Sequence, residues 1–363
     1  MSDTISAPQA IEISKLGQGF SWLDVRSENE YSETGLPLSH NIPILNNQHR
    51  HLVGLTYKTT GNQAAVELGH QLVAPLKEQM VEQWRAVLNN QQNPILFCWR
   101  GGLRSQIAWQ WLNDHGLRAQ RVLGGYKAIR RELFCALERL PSFTVLSGPT
   151  GSNKTKLLHE LDQKFVLDLE QLACHRGSAF GGWWNQAQPA QATFENSLFW
   201  RLYHPPKQMI VEDESRLIGH RCIPDTLYHA MATAPRVTIE MSIEQRSENI
   251  ARDYVLSPLT SGGRTRDQLL AEFHGSLLKI KARLGGALYQ DLFMQMKEAF
   301  TSTSIDLPQH MKWITTLLAD YYDKAYHHSF SKKNCPILFT GSYAECSDWL
   351  RNHLQLQVRD HRE

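Results

Sequence analysis

Cys98 closes an apolar run, Pro94-Ile95-Leu96-Phe97, and is followed at once by Trp99-Arg100-Gly101-Gly102-Leu103-Arg104-Ser105. Apolar residues then recur at helical spacing to about His115, so the stretch reads as strand, tight loop and helix. A loop of this kind turns its backbone N–H groups inward and ends on a helix N-terminus, which makes an anion cradle with the cysteine at its mouth. Arg100, Arg104 and the helix dipole favour thiolate over thiol, while Gly101, Gly102 and Ser105 complete the cradle. The chemistry to expect is nucleophilic attack by Cys98 on an anionic donor. The plainer alternative is a core cysteine at a strand end. Two glycines and two arginines do nothing for a core strand, which favours the reactive loop.

A second anion loop follows at Gly148-Pro149-Thr150-Gly151-Ser152-Asn153-Lys154-Thr155, after the apolar run Phe143 to Leu146. It is close to the P-loop pattern G-x-x-x-x-G-K-[ST], with Asn153 where the pattern has glycine. Asparagine tolerates the left-handed backbone better than most residues, so the loop can still form. Its N–H groups would surround an oligophosphate, with Lys154 on the terminal phosphates and the Thr155 hydroxyl near a metal ion. Gln208-Met-Ile-Val211 is an apolar strand ending in Glu212, Asp213 and Glu214. A metal-holding acid sits at such a strand end in P-loop proteins; Asp213 is the favoured candidate, with Glu212 and Glu214 as rivals, and Mg²⁺ is the ion to expect if any is used. No metal ligand set is certain.

These loops need scaffolds that place strand ends beside helix starts. Phe20 to Arg26 is a short strand, and Ser27-Glu28-Asn29-Glu30-Tyr31 can cap a helix. Leu36 to Ile44 is extended and punctuated by proline, and residues 74–90 have helical spacing. Arg121-Val122-Leu123-Gly124-Gly125-Tyr126 is a further strand opening a helix. This alternation predicts a small, mostly parallel, doubly wound α/β sheet over residues 1–140. Leu140-Pro141 ends its last helix, and a second α/β domain with a helical extension fills 141–363: a strand at 237–241, helices over 243–254, 266–300 and 311–327, a strand at 336–341 and a last helix over 343–355. The segment Arg176-Gly177-Ser178-Ala179-Phe180-Gly181-Gly182-Trp183-Trp184 would line a pocket for an apolar ligand or a base, or cap the core. Arg246, Arg252, Arg264, Arg266, Lys279, Lys281 and Arg283 form either a track for a phosphate backbone or a solvated helix face, since acids alternate with them.

Composition sets the outer limits. The 363 residues suit two domains, and a net charge of +2 leaves any nucleic-acid contact to local patches. The six cysteines are widely spaced, which argues against a disulfide framework or a structural zinc site. Neither a leader peptide nor a membrane span is apparent, so a cytoplasmic protein is expected.

Leu23-Asp24-Val25-Arg26 with Glu30-Tyr31, the Cys98 loop, and Leu123-Gly124-Gly125-Tyr126 with Ala128 resemble, in order and spacing, the three recurrent segments of rhodanese domains. That resemblance implies a cysteine that carries sulfur or selenium as a persulfide or perselenide, a role carried here to Cys98. The Cys-x5-Arg interval is one residue longer than in many sulfurtransferase loops and equals that of cysteine-dependent phosphatases, a roomier cradle that suits phosphate or selenophosphate. Joined to a P-loop domain carrying Val211-Glu212-Asp213-Glu214-Ser215-Arg216 and Phe180-Gly181-Gly182, the whole closely resembles the tRNA 2-selenouridine synthase family. The resemblance implies action on 2-thiouridine at the tRNA wobble position, alkylation of its sulfur by geranyl diphosphate, and exchange of geranylthiol for selenium from selenophosphate. Two rivals stand beside it: a Cys-x5-Arg phosphatase, which leaves the second domain idle, and a nucleotide-gated regulatory protein, which leaves Cys98 idle.

Overall fold

The computed structural model describes residues 3–16, 20–89, 91, 93–183, 185–301, 305–331 and 335–359, with side chains as far as Leu354. The chain forms two compact units, Met1–Arg139 with Pro189–Tyr203, and Leu140–Gln188 with His204–Glu363. The division departs from the expected one in a single stretch. Helix Gln191–Leu202 returns to the first unit, where it packs on helices Glu28–Thr34 and Gly125–Phe134. Its buried Phe194, Leu198, Phe199 and Leu202 need an apolar partner, and its polar edge is tied down by the Arg130–Glu195 ion pair at 2.5 Å and by the Asn196 amide donating to the Gly35 carbonyl at 2.8 Å. A cut placed at one proline cannot see a chain that comes back.

In the first unit β1 (Thr4–Ile5), β2 (Trp22–Asp24), β3 (Ser39–Asn41), β4 (Ile95–Phe97) and β5 (Gln120–Val122) form a parallel sheet in the order β1-β5-β4-β2-β3. The fold is α/β, as expected. β4 is central and wholly buried, which explains its unbroken apolar run, and its C-terminal end delivers Cys98. Helices Ala7–Leu16 and Gly125–Phe134 pack together, as do Lys77–Leu88 and Leu103–Asp114. The helix expected over 74–90 begins later, at Lys77, after a 3-10 turn at Ala74–Leu76. Pro75 shapes that turn, which follows a helix hairpin, Asn47–Thr59 and Asn62–Val73, that the sequence reading did not contain.

The second unit carries β6 (Ser142–Ser147), β7 (Val166–Leu167), β8 (Gln208–Glu212), β9 (Leu217–Ile218), β10 (Arg221–Cys222), β11 (Arg236–Ile239) and β12 (Ile337–Gly341). Five of them form a parallel sheet in the order β12-β11-β6-β8-β7, and β9 and β10 make a small antiparallel pair. β6, which leads into the P-loop, lies directly beside β8, which ends in the acids. The long helix expected over 266–300 is two helices, Arg266–Leu284 and Gly286–Thr301, because Gly285 takes φ 81° and breaks the run. With helix Leu307–Leu317 they bury Phe273, Leu277, Leu292, Met296, Trp313 and Leu317 in one apolar cluster. A capping box at Thr265 and Gln268 starts the first of them.

Candidate functional site

The Cys98 loop is held in shape by backbone from the next motif. The Tyr126 N–H donates to the Cys98 carbonyl at 2.8 Å and the Lys127 N–H to the Trp99 carbonyl at 3.1 Å. Gly101 takes φ 68°, and a Cβ there would stand 2.8 Å from the Val122 carbonyl oxygen; one on Gly125 would strike the Cys98 carbonyl. The double glycine after β5 therefore serves the Cys98 loop, by letting two backbones touch. The cysteine lies at the floor of the cradle rather than at its mouth, since it is only 3% exposed and belongs to the apolar cluster with Leu96, Ala108 and Leu112. Its Sγ is 3.2 Å from the Ser105 hydroxyl. Gly102 precedes the helix Leu103–Asp114 as its N-cap, and Arg100 is exposed.

Arg104 does not point to the sulfur alone. Its guanidinium meets the Glu30 carboxylate at 2.5 and 3.1 Å. Burial works against both charges, but the pairing outweighs it: the Glu30 carboxyl falls below its ordinary pKa and Arg104 rises above its own. Glu30 also accepts from the Ser27 N–H at 3.0 Å, so the capping residue of one helix fixes the arginine of another. An acid partner for the loop thus exists where the sequence reading found none. Below the loop, Arg26 pairs with Asp24 at 2.6 Å, wholly buried, and lies over the Tyr126 ring at 4.2 Å. Trp99 stacks on Tyr126 at 5.2 Å.

In the second unit Gly151 takes φ 87° and Asn153 φ 61°, the left-handed turn the pattern assigns to glycine. Helix Lys154–Glu160 starts immediately after it, so Lys154 and Thr155 stand in its first turn. The Lys154 ammonium donates to the Gly148 carbonyl at 2.9 Å, and Ser152 is fully buried with no partner for its hydroxyl among the described residues. The loop is braced from behind by helix Ile243–Ile250. Asn249 donates to the Gly151 carbonyl at 2.9 Å, and Arg246, paired with Asp323 at 2.8 Å, donates to the Thr150 carbonyl at 3.2 Å. Arg246 therefore leaves the expected basic track and becomes a loop support.

The acids divide in a way the sequence did not indicate. Asp213, the favoured metal holder, lines the same cleft as its rivals but is already partnered: it pairs with Arg236 at 2.6 Å and accepts from the Ser147 hydroxyl at 2.8 Å. Its rivals face the P-loop together with two residues the sequence reading missed, Asp168 and Glu170. Glu170 accepts from the Thr155 hydroxyl at 2.9 Å, and its N–H donates to Glu212 at 2.6 Å. Burial, then the charges of its acidic neighbours, push Glu212 well up; burial and Glu170 push Glu214 up to about 8 against the pull of Lys154. Glu170 is also raised, chiefly by burial. Glu170 and Glu214 act on each other's titration, and each carboxyl is raised. Val166-Leu167-Asp168-Leu169-Glu170, a second apolar strand ending in acids, was the available sign of this partner. Among the described residues no group of three or more His, Cys, Asp or Glu side chains is arranged to hold a metal by itself.

These groups line one cleft of about 600 Å³. Gly148, Lys154, Thr155 and the acids line it, and so do Phe180, Phe273, Trp313, Leu317 and Tyr322. The glycine-rich segment does both things proposed for it: Phe180 packs edge-on against Phe273 at 5.8 Å, and Arg176, Gly177 and Trp183 line the cleft, with Arg176 4.5 Å over the Tyr254 ring. Trp184 lies outside the described residues. Of the remaining basic track, Arg252 pairs with Glu248 at 2.7 Å and Arg264 with Glu272 at 2.6 Å, whereas Lys279, Lys281 and Arg283 are exposed on one helix.

No helix among the described residues is long and apolar enough to cross a membrane. The model of the tRNA 2-selenouridine synthase AAA domain matches residues 141–357, and that of the rhodanese-like domain matches 9–132. A tRNA 2-selenouridine synthase of Cupriavidus pinatubonensis is 39% identical over 92% of this chain and 95% of that protein. Proteins of the same name from Marinobacter nauticus and Alcanivorax borkumensis are each 39% identical over 91% of this chain, and over 94% and 95% of their own lengths. Two anion loops, one bearing a cysteine and one a lysine, thus stand where both matched domains lie, and the chain belongs to the tRNA 2-selenouridine synthase family.

Proposed function

We propose that the protein is a tRNA-modifying enzyme that replaces the sulfur of wobble-position 2-thiouridine by selenium, in two steps divided between its anion loops. The observation that carries the reading is the cleft of the second unit, where a phosphate-binding loop and an aromatic wall share one space. Geranyl diphosphate has that shape and polarity, a polyanion at one end and a hydrocarbon at the other. In the first step the thione sulfur attacks C1 of the geranyl group, the C1–O bond breaks, diphosphate leaves with the electron pair, and the base gives up its N3 proton to solvent. Lys154 and the N–H groups of 148–155 stabilise the departing charge. Oxygen ligands such as Thr155, Glu170 and Glu214 suit a hard divalent cation, and Mg²⁺ is commonly held by one or two carboxylates plus substrate phosphates. Such an ion would supply further charge to the leaving group.

The second step belongs to Cys98. Moving a neutral selenium atom onto its sulfur would release phosphite, phosphorus taking up the two electrons that selenium gives up. The course that keeps phosphorus at the phosphate level is attack of the Cys98 sulfur on the phosphorus of selenophosphate, with cleavage of the P–Se bond and release of hydroselenide. Hydroselenide then adds at C2 of the alkylated base and expels geranylthiol, and water takes the phosphoryl group from Cys98. A Cys-x5-Arg cradle, with Arg104 held by Glu30, suits that phosphoryl transfer. The base is reached from a single-stranded loop, where it can be splayed out without breaking a duplex. The enzyme would work in the cytoplasm, with tRNA.

The test is the mass of the nucleoside formed from 2-thiouridine tRNA with each donor alone and with both. Geranyl diphosphate alone is expected to give S-geranyl-2-thiouridine, both donors 2-selenouridine, and selenophosphate alone neither. Selenouridine formed without a geranyl donor would contradict the two-step reading, and ATP turnover without tRNA would favour a nucleotide-gated regulator.

A further inference from the structure

Beside the Cys98 loop the first unit holds a second cavity, an apolar groove of about 410 Å³, within the roughly 300–1,000 Å³ of small-ligand sites. One wall is Leu103, Arg104 and Ile107, on the helix that springs from the anion loop; the other is the helix hairpin Asn47–Thr59 and Asn62–Val73. Ile44, Leu45 and Val73 line it and pack with Cys98 in one apolar cluster. Each hairpin helix turns an interior glycine to it, Gly54 and Gly69. Neither has a positive φ, and a Cβ would meet only the flexible end of Arg50 at Gly54 and an ordinary 3.8 Å contact with Val53 at Gly69. Glycine inside a helix is unfavourable relative to alanine, so neither packing nor backbone explains these two; kept space does. Of the basic residues in the lining, Arg50 and Arg104 both meet Glu30, and Lys58 is exposed, a positive charge that matches an RNA backbone.

We propose that this groove receives the geranyl chain of S-geranyl-2-thiouridine while the nucleoside is presented to the Cys98 loop, an assignment that rests on the function proposed above. The chain is apolar, is attached to a polyanion, and has to leave beside the cradle as a thiol. An apolar groove walled by the helix that springs from the cradle, with Lys58 on its lining, meets all three demands.

The probes are two anticodon stem-loop RNAs, one carrying S-geranyl-2-thiouridine and one 2-thiouridine, titrated against the full chain. The wild-type protein is expected to prefer the geranylated RNA by about tenfold or more. Gly54→Leu and Gly69→Leu fill the groove and should bring the preference close to unity while binding of the 2-thiouridine RNA stays as in the wild type. Leucine is the better helix former, so the fold should hold, and an unchanged circular dichroism spectrum checks it. Val66→Ala widens the groove and should shift the preference toward a longer farnesyl chain. Equal binding of both RNAs by the wild type, or a full preference in both leucine variants, would overturn the assignment. Loss of alkylation in those variants with the preference intact would also overturn it, by placing the donor's chain here instead. Failure of the function itself is seen separately, as selenouridine made by the wild type with no geranyl donor present.

Discussion

The two anion loops follow one plan, strand to glycine-bearing loop to helix, yet differ in what faces them. The loop of Cys98 is closed by neighbouring backbone, its sulfur is buried, and its Arg104 is already paired with Glu30. The loop of Lys154 lines a cleft together with acids whose carboxyls burial pushes up. The first is held shut by contacts already made. In the second, Lys154 rests on its own loop carbonyl and faces Glu170 and Glu214.

Substitutions that act on one loop only should separate the two. The largest effect is expected at Cys98: Cys98→Ser should lower selenium incorporation by about 10³-fold or more, read as 2-selenouridine formed per enzyme from S-geranylated tRNA. Lys154→Ala should slow alkylation by geranyl diphosphate by about 10²–10³-fold and leave the conversion of preformed S-geranyl tRNA near the wild-type rate. The raised Glu214 carboxyl gives a stability test. A carboxyl whose folded pKa stands at about 8 against an ordinary 4.5 stabilises the fold fully below pH 4.5, and that stability is lost as pH rises toward 8. Glu214→Gln, which cannot ionise, should therefore melt higher than the wild type at pH 8 and above, with the difference closing as the pH falls to 4.5. The smallest effect is expected on the exposed basic helix, where Lys281→Glu with Arg283→Glu should weaken tRNA binding severalfold and flatten its salt dependence by about one unit of slope per lost contact.

Much of this contrast was legible in the chain. The glycine positions of both loops, the strands that feed them and the α/β class follow from periodicity and turn chemistry, because β4 and β6 are buried runs followed directly by helix starts. What the sequence could not carry is partnership across distance. Glu30 and Arg104 are 74 residues apart, and their pairing depends on the order in which β2 and β4 lie side by side. Asp213 and Glu214 are neighbours whose side chains go to different partners, Arg236 and Glu170, so a run of three acids gave no means of choosing among them. The hairpin over 47–73 escaped notice because Leu52, Leu55 and Tyr57 are exposed and form no helical stripe facing a core, while Gly54, Tyr57 and Gly69 border the groove. Helix Gln191–Leu202 was misplaced for a related reason, since its apolar face is satisfied by the unit that precedes it in the chain.

The division of labour between the loops is tested most directly by giving Cys98→Ser and Lys154→Ala the same 2-thiouridine tRNA with both donors, and weighing the nucleoside each leaves behind. Cys98→Ser should accumulate S-geranyl-2-thiouridine, because the alkylation uses the nucleoside's own sulfur, and Lys154→Ala should leave 2-thiouridine. Normal 2-selenouridine from Cys98→Ser, or unreacted 2-thiouridine from both variants, would contradict the assignment of one step to each loop.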